Sequence, residues 1–151
     1  MHAMEKLRPL ALLLLRLGLG AIFIYHGYPK LQILEPTATG YSHEFIFDMS
    51  ARGGLPGYVE RIAGLVEVVG GAMLAIGIFT RFVGLLLTIE LGMVLWMGHA
   101  LFAHPAAVGR YEFPLACAVG VFALATFGAG SISFDAAFFR GGGRASHKVK
   151  G

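Results

Sequence analysis

The sequence predicts an all-α fold, an integral membrane four-helix bundle with both termini cytoplasmic, and three observations carry that reading. Hydrophobic residues make up 56% of the chain and charged residues only 14%, with a mean hydropathy of +0.71, far from the balance of a water-soluble domain. Four mainly apolar runs of about 20 residues recur along it, each long enough to cross the hydrocarbon layer as a helix. In a chain of 151 residues these runs leave little for a separate soluble core, so residues 1–151 read as a single transmembrane domain.

The first span covers about 9–29. Lys6 and Arg8 precede its apolar run as in a signal peptide, but Arg16 interrupts the run and no small-x-small site follows at Tyr25-His26-Gly27-Tyr28, which favours a retained helix. In the second span, 57–79, Gly57, Gly64 and Gly71 recur every seven residues, with Glu60, Glu67 and Leu74 at the alternate heptad positions. Small residues at that spacing let backbones approach in lipid, so both glutamates are expected to face protein. Only a few residues around Thr80-Arg81 separate this span from the third, 82–103, which makes the two an antiparallel hairpin. The fourth covers 111–130, and a basic tail, 136–151, follows with Arg140, Arg144, Lys148 and Lys150 suited to anionic lipid.

The one long connection, Pro29 to Pro56, contains SHEFIFDMSARGG. A cap at Ser42, apolar Phe45 and Phe47, and a stop at Gly53-Gly54 predict an interfacial helix there. Lys6, Arg8, Arg81 and the four tail residues lie on one side of the spans, against Lys30, Arg52, Arg61 and Arg110 on the other. Excess basic charge marks the cytoplasmic side, which places both termini there.

Several chemistries are not encoded. The net charge of +3 is not gathered into a basic stripe interleaved with aromatics, which excludes a nucleic-acid partner. The single cysteine, Cys117, has no partner for a disulfide or a Cys-x-x-Cys motif, and its neighbours Ala116, Ala118 and Gly120 mark it as a small packing residue. His99 and His104 are five apart and do not share a helix face, so no metal site is expected. No nucleophilic triad, phosphate loop, flavin or nicotinamide fingerprint is visible.

The ionisable residues inside the spans are the candidate functional groups. Arg16, Glu67 and Glu90 fall near the bilayer middle, where an ionised side chain costs about 2.5 to 3.5 kcal/mol on insertion scales. A buried charge cluster, with the arginine fork bridging Glu67 and Glu90, would satisfy all three. The alternative is that Arg16 snorkels to the cytoplasmic end. His26 and Lys30 lie four apart at the outer end of the first span and share a face, with Lys30 within reach of water. Together with Glu60 and Glu112 they form a candidate ligand-binding site for a small polar or quinone headgroup: the histidine and lysine donate to a carbonyl or anion, and the carboxylates relay a proton. The competing reading is an ordinary interface, with Tyr25, Tyr28, Tyr58 and Tyr111 as its aromatic belt.

Taken in order, Arg16 with His26-Gly27-Tyr28-Pro29-Lys30, Glu67-Val68-Val69-Gly70-Gly71, Gly77-Ile78-Phe79-Thr80-Arg81, Glu112, and Gly128-Ala129-Gly130-Ser131-Ile132-Ser133-Phe134-Asp135 resemble the DoxX family of small four-helix membrane proteins over nearly the whole chain. Ala129 stands where the family often has proline, so the exit of the fourth span is expected to bend differently. The resemblance implies a bacterial inner-membrane location and an association with redox physiology, since relatives resemble quinone-reducing thiosulfate dehydrogenase subunits and some are linked to oxidative-stress complexes. Two function classes follow. One is a redox-associated membrane subunit that binds quinone or a soluble or membrane redox partner, with His26 and Glu67 handling protons; any cofactor would then be quinone or belong to another subunit. The other is a non-enzymatic scaffold or small transporter-like component, in which the buried charges are structural.

Overall fold

The computed structural model describes residues 2–31, 57–98 and 108–140. The interfacial helix expected in the first connection, His99, His104 and the end of the basic tail lie outside them. The described residues form five helices and no strand: α1 His2–Leu31, α2 Gly57–Ile76, α3 Thr80–Gly98, α4 Val108–Phe127 and the short α5 Phe134–Arg140. The fold is all-α.

Glycine fixes how α1 and α2 meet. A Cβ on Gly20 would lie 2.6 Å from the carbonyl oxygen of Gly71, and one on Gly64 would lie 2.9 Å from that of Gly27 and 2.6 Å from Lys30 Cβ. Side chains of any size would force the backbones apart, so the antiparallel register rests on two glycine pairs spaced one heptad apart on each helix. Gly64 and Gly71 are members of the stripe read in the sequence; their partners, Gly20 and Gly27, complete it from the other side. A similar close approach joins α3 to α4, where a Cβ on Gly84 would lie 2.8 Å from the carbonyl oxygen of Val121. Contacts of α2 with α3 and of α1 with α4 close the ring. Leu19 and Phe23 of α1, Leu74 of α2, Leu87 and Leu91 of α3, and Val121 and Leu124 of α4 fill its centre.

Two helices stop three residues before the span ends that hydropathy indicated, at 79 and 130, and backbone conformation is the reason. Gly77 takes φ +82°, its N–H donates to Leu74 O at 3.1 Å, and the next N–H, of Ile78, donates to Met73 O at 2.9 Å. This is a Schellman ending, which needs a left-handed residue that glycine supplies without strain. Gly128, with φ +79°, ends α4 with the simpler left-handed motif, its N–H donating to Leu124 O at 2.8 Å. The α2–α3 hairpin is thus as tight as its spacing required.

Among the described residues one helix, over Glu5–Leu31, is long and apolar enough by length and composition to cross a membrane, with a hydropathy of 1.9 in its best window. The 20-residue α2 carries three charged residues, Glu60, Arg61 and Glu67. Yet the outer faces of all four long helices are apolar at helical spacing: Leu7, Leu10, Leu14 and Leu17 on α1, Ile62, Leu65 and Val69 on α2, Phe82, Leu85, Ile89 and Met93 on α3, and Leu115, Val119 and Phe122 on α4 are exposed. Exposed apolar faces of this extent are unusual in a water-soluble protein.

The glycine register is directly testable. Gly20→Ala should destabilise the protein by about 1 to 3 kcal/mol through overpacking, whereas Gly18→Ala, which would meet nothing within 4 Å, should leave stability unchanged or slightly raised. Unfolding of the two purified variants in detergent compares them; equal losses would contradict the close approach.

Candidate functional site

The ionisable groups gather in two places, one at each end of the α1–α2 contact. Side chains on a helix lean toward its N-terminus, and this single rule sends Arg16 and Lys30 to different partners. Arg16, only 1% exposed, leans toward the end of the bundle where α1 begins. Its Nη1 donates to the carbonyl oxygen of Ala129 at 2.9 Å and its Nη2 to that of Ile132 at 2.6 Å. The guanidinium also packs over Gly77, where a Cβ would collide with Nη1 and approach Ser133 Cβ at 2.8 Å. Asp135, in the first turn of α5, completes this cluster. Its carboxylate accepts from the N–H groups of Phe79 at 2.8 Å and Thr80 at 2.9 Å, capping α3 from outside the helix, and its own N–H donates to Gly77 O at 2.9 Å. The GIFTR and GAGSISFD pieces, some fifty residues apart, are therefore two halves of one junction with Arg16 as its pin.

At the other end Lys30 leans inward. Its Nζ donates to Glu67 Oε1 at 2.6 Å, and the two side chains are 13% and 4% exposed. The expected bridge between Arg16 and Glu67 is thus corrected: Glu67 pairs with Lys30, and Arg16 with backbone carbonyls. The register explains why. Gly20 opposite Gly71 and Gly27 opposite Gly64 set Glu67 level with the turn Ile24 to Gly27, whose backbone a Cβ on Gly27 confirms by meeting Glu67 Cβ at 2.7 Å. Arg16 is about two turns, or roughly 12 Å, further along. Lys30 snorkelling to water and Arg16 snorkelling to the cytoplasmic surface are corrected by the same observations.

Glu90 lies on α3, the helix that follows α2 across the tight turn. Both of its carboxylate oxygens, and Oε2 of Glu67, are buried with no hydrogen-bond partner among the described residues. His26 is half-buried one turn from Lys30, with its ring 5.5 Å from that of Phe113 and 5.7 Å, edge-on, from that of Tyr25. Ile22, Phe23, His26, Glu67, Leu91, Phe113, Pro114 and Cys117 line a cavity of about 10 Å³ between α1, α2, α3 and α4, room for a single water at most. Of the expected outward-facing set, His26 and Lys30 lie at this cluster, Glu112 is exposed beside Phe113 on α4, and the side chain of Glu60 lies outside the described residues. Among the described residues no group of three or more His, Cys, Asp or Glu could hold a metal ion.

The fold and its two clusters define a helical protein with an apolar exterior and ionisable groups in its interior. The chain belongs to the DoxX family, whose model matches residues 11–100 and whose members are membrane-associated. It is 30% identical to an uncharacterized protein of Haemophilus influenzae (strain ATCC 51907 / DSM 11121 / KW20 / Rd) over 77% of this chain and 75% of that one. It is 33% identical to a Bacillus subtilis (strain 168) protein named "Putative oxidoreductase CatD" over 58% of this chain and 59% of that one. No solved structure matches it significantly.

The Lys30–Glu67 pair has a quantitative signature. Lys30→Met and Glu67→Ala should each lower the free energy of unfolding by about 3 to 5 kcal/mol, because each strands a buried charge, and the double variant should lose less than the sum. Arg16→Met combined with Glu67→Ala should instead be additive within about 0.5 kcal/mol. Denaturant titrations in detergent supply the four free energies of each cycle, and strong Arg16–Glu67 coupling would contradict the register. Asp135→Ala, which removes the cap on α3, should lose about 1 to 2 kcal/mol in the same assay.

Proposed function

We propose that the protein is a multi-pass cell-membrane subunit of a redox system, a four-helix bundle with both termini cytoplasmic, in which the His26, Lys30, Glu67 and Glu90 cluster handles protons for a quinone or a redox partner protein. The observation that carries this reading is the Lys30–Glu67 ion pair at 2.6 Å, with side chains 13% and 4% exposed, inside a bundle whose exterior is apolar. Ionisable groups held within the membrane are expensive and mark functional paths. Family membership and the oxidoreductase name of the Bacillus subtilis relative supply the redox context. Electrons would come from quinone or from another subunit, while His26 exchanges protons with the outer surface.

A space of about 10 Å³ admits no headgroup, so a quinone would lie against the outside of the bundle near His26 and Phe113. The hydrogen bonds that Arg16, Lys30 and Asp135 make between elements favour a second reading, a non-enzymatic scaffold or transporter-like component whose clusters hold the helices together.

Protein purified from its membrane and extracted for bound quinone, lipid and protein partners separates the two readings. Under the redox reading, quinone or a redox protein co-purifies, and His26→Ala reduces its amount at least tenfold while the quantity of protein in the membrane is unchanged. Loss of quinone and of redox proteins from the native preparation would leave the scaffold. Orientation has its own test: a cysteine replacing Thr39 should react with an impermeant reagent in intact cells, and one replacing Ser146 should not.

A further inference from the structure

We propose that the cavity between His26 and Glu67 is a hydration site, in which one buried water molecule donates a hydrogen bond to Glu67 Oε2 and hydrogen-bonds the imidazole of His26. The site deepens the redox reading and rests on it for its purpose: the water joins the buried ion pair to the half-buried histidine near the outer end of α1.

Glu67 has one oxygen more than its partner can serve. Its side chain is 4% exposed, Oε1 accepts from Lys30 at 2.6 Å, and Oε2 is buried with no hydrogen-bond partner among the described residues. A buried acceptor without a donor carries the full cost of its desolvation. The register holds it there, because a Cβ on Gly27 would already lie 2.7 Å from Glu67 Cβ and the two helices have no slack to move. The second observation is independent of that oxygen. The helices leave a space of about 10 Å³, and Glu67 from α2 and His26 from α1 share its wall. Such a space is just large enough for one water and excludes anything larger. Charge selects the same occupant: Lys30 already neutralises Glu67, so a neutral donor satisfies Oε2 without adding a charge to an apolar interior. A buried water needs about two to four polar partners. Ile22, Phe23, Leu91, Phe113 and Pro114 offer it no side-chain hydrogen-bonding group, and Glu67, His26 and the Cys117 thiol complete the wall, the thiol as a weak partner. A water bonded at both ends also moves a proton. It accepts one from the imidazolium of His26 and releases another to Oε2, which leaves a neutral imidazole, a neutral carboxyl group and Lys30 still charged; the reverse step restores the ion pair.

Nuclear magnetic resonance of the purified full chain in detergent, with isotope-labelled histidine, tests the site. The probe is dipolar transfer from water to the carbon-bound ring protons of His26, which do not exchange with solvent and are assigned by their loss in His26→Gln. The wild type should give a cross-peak with the sign of a water that stays longer than the molecule takes to tumble; a surface water gives the opposite sign. Glu67→Met removes the anchoring oxygen and should abolish the cross-peak. Gly18→Ala, on the open face of α1, should leave it unchanged. Since Glu67→Met strands Lys30, the double variant Lys30→Met with Glu67→Met removes both charges and carries the test even where the single variant fails to fold. A surface-type sign or no cross-peak in the wild type would overturn the site, and so would a long-lived cross-peak that survives the loss of Glu67. No quinone enters these spectra. Their failure cuts the link between His26 and Glu67 but leaves co-purification of quinone or a redox protein open, and a preparation free of both leaves the water intact.

Discussion

The closeness of α1 and α2 governs the rest of the structure. In lipid, no hydrophobic force draws one helix to another, so association depends on packing at short range and on whatever polar pairs the packing permits. Gly20 against Gly71 and Gly27 against Gly64 permit backbone contact at two heights. Once both contacts are made, neither helix can slide or turn without a collision. The vertical position of every polar side chain on α1 relative to α2 is thereby set. Glu67 comes under the reach of Lys30, Arg16 is carried beyond it, and Gly77 at the end of α2 is brought beneath the guanidinium.

This constraint also accounts for which features were legible in the sequence. Helical class, the tight α2–α3 hairpin and the glycine stripe on α2 are local properties, visible in hydropathy, in connection length and in a seven-residue repeat. The ends of α2 and α4 were less visible, because Ile78 and Phe79 continue the apolar pattern after Gly77 has turned the backbone. Hydropathy reads burial, and it is blind to the sign of φ. The pairing of charges was hidden for a different reason. Depth in the membrane put Arg16 within about a turn of Glu67, but depth ignores the lean of side chains toward a helix N-terminus. On antiparallel helices that lean moves Arg16 away from Glu67 and moves Lys30 toward it. Knowing the partner stripe on α1, Gly20 and Gly27, would have supplied the register and with it the correct partner. His26 and Lys30 were legible as neighbours from their spacing alone; Phe113 and Cys117, which reach the same cavity from α4, carry no local signal.

The two clusters differ in a way that assigns them different work. Around Arg16, donors and acceptors are largely matched: two guanidinium nitrogens meet carbonyls of the α4–α5 link, and both oxygens of Asp135 are taken by the first N–H groups of α3. Arg16 Nε and Thr80 Oγ1 remain without a partner among the described residues, but the positive charge itself sits among oxygens. Such a junction ties the middle of α1, the α2–α3 turn and the α4–α5 link together, which is a structural role for an arginine in an apolar setting. Around Glu67 the matching fails. Lys30 donates to one oxygen of Glu67, and the other Glu67 oxygen and both oxygens of Glu90 have no donor among the described residues. A polar group left unmatched in an apolar interior costs stability, and the α1–α2 register that holds Glu67 in place is itself built to prevent relaxation. The bundle is therefore firm at the end where its polar groups are satisfied and has unused bonding capacity at the other, and it is the second end whose chemistry can respond to something that comes and goes.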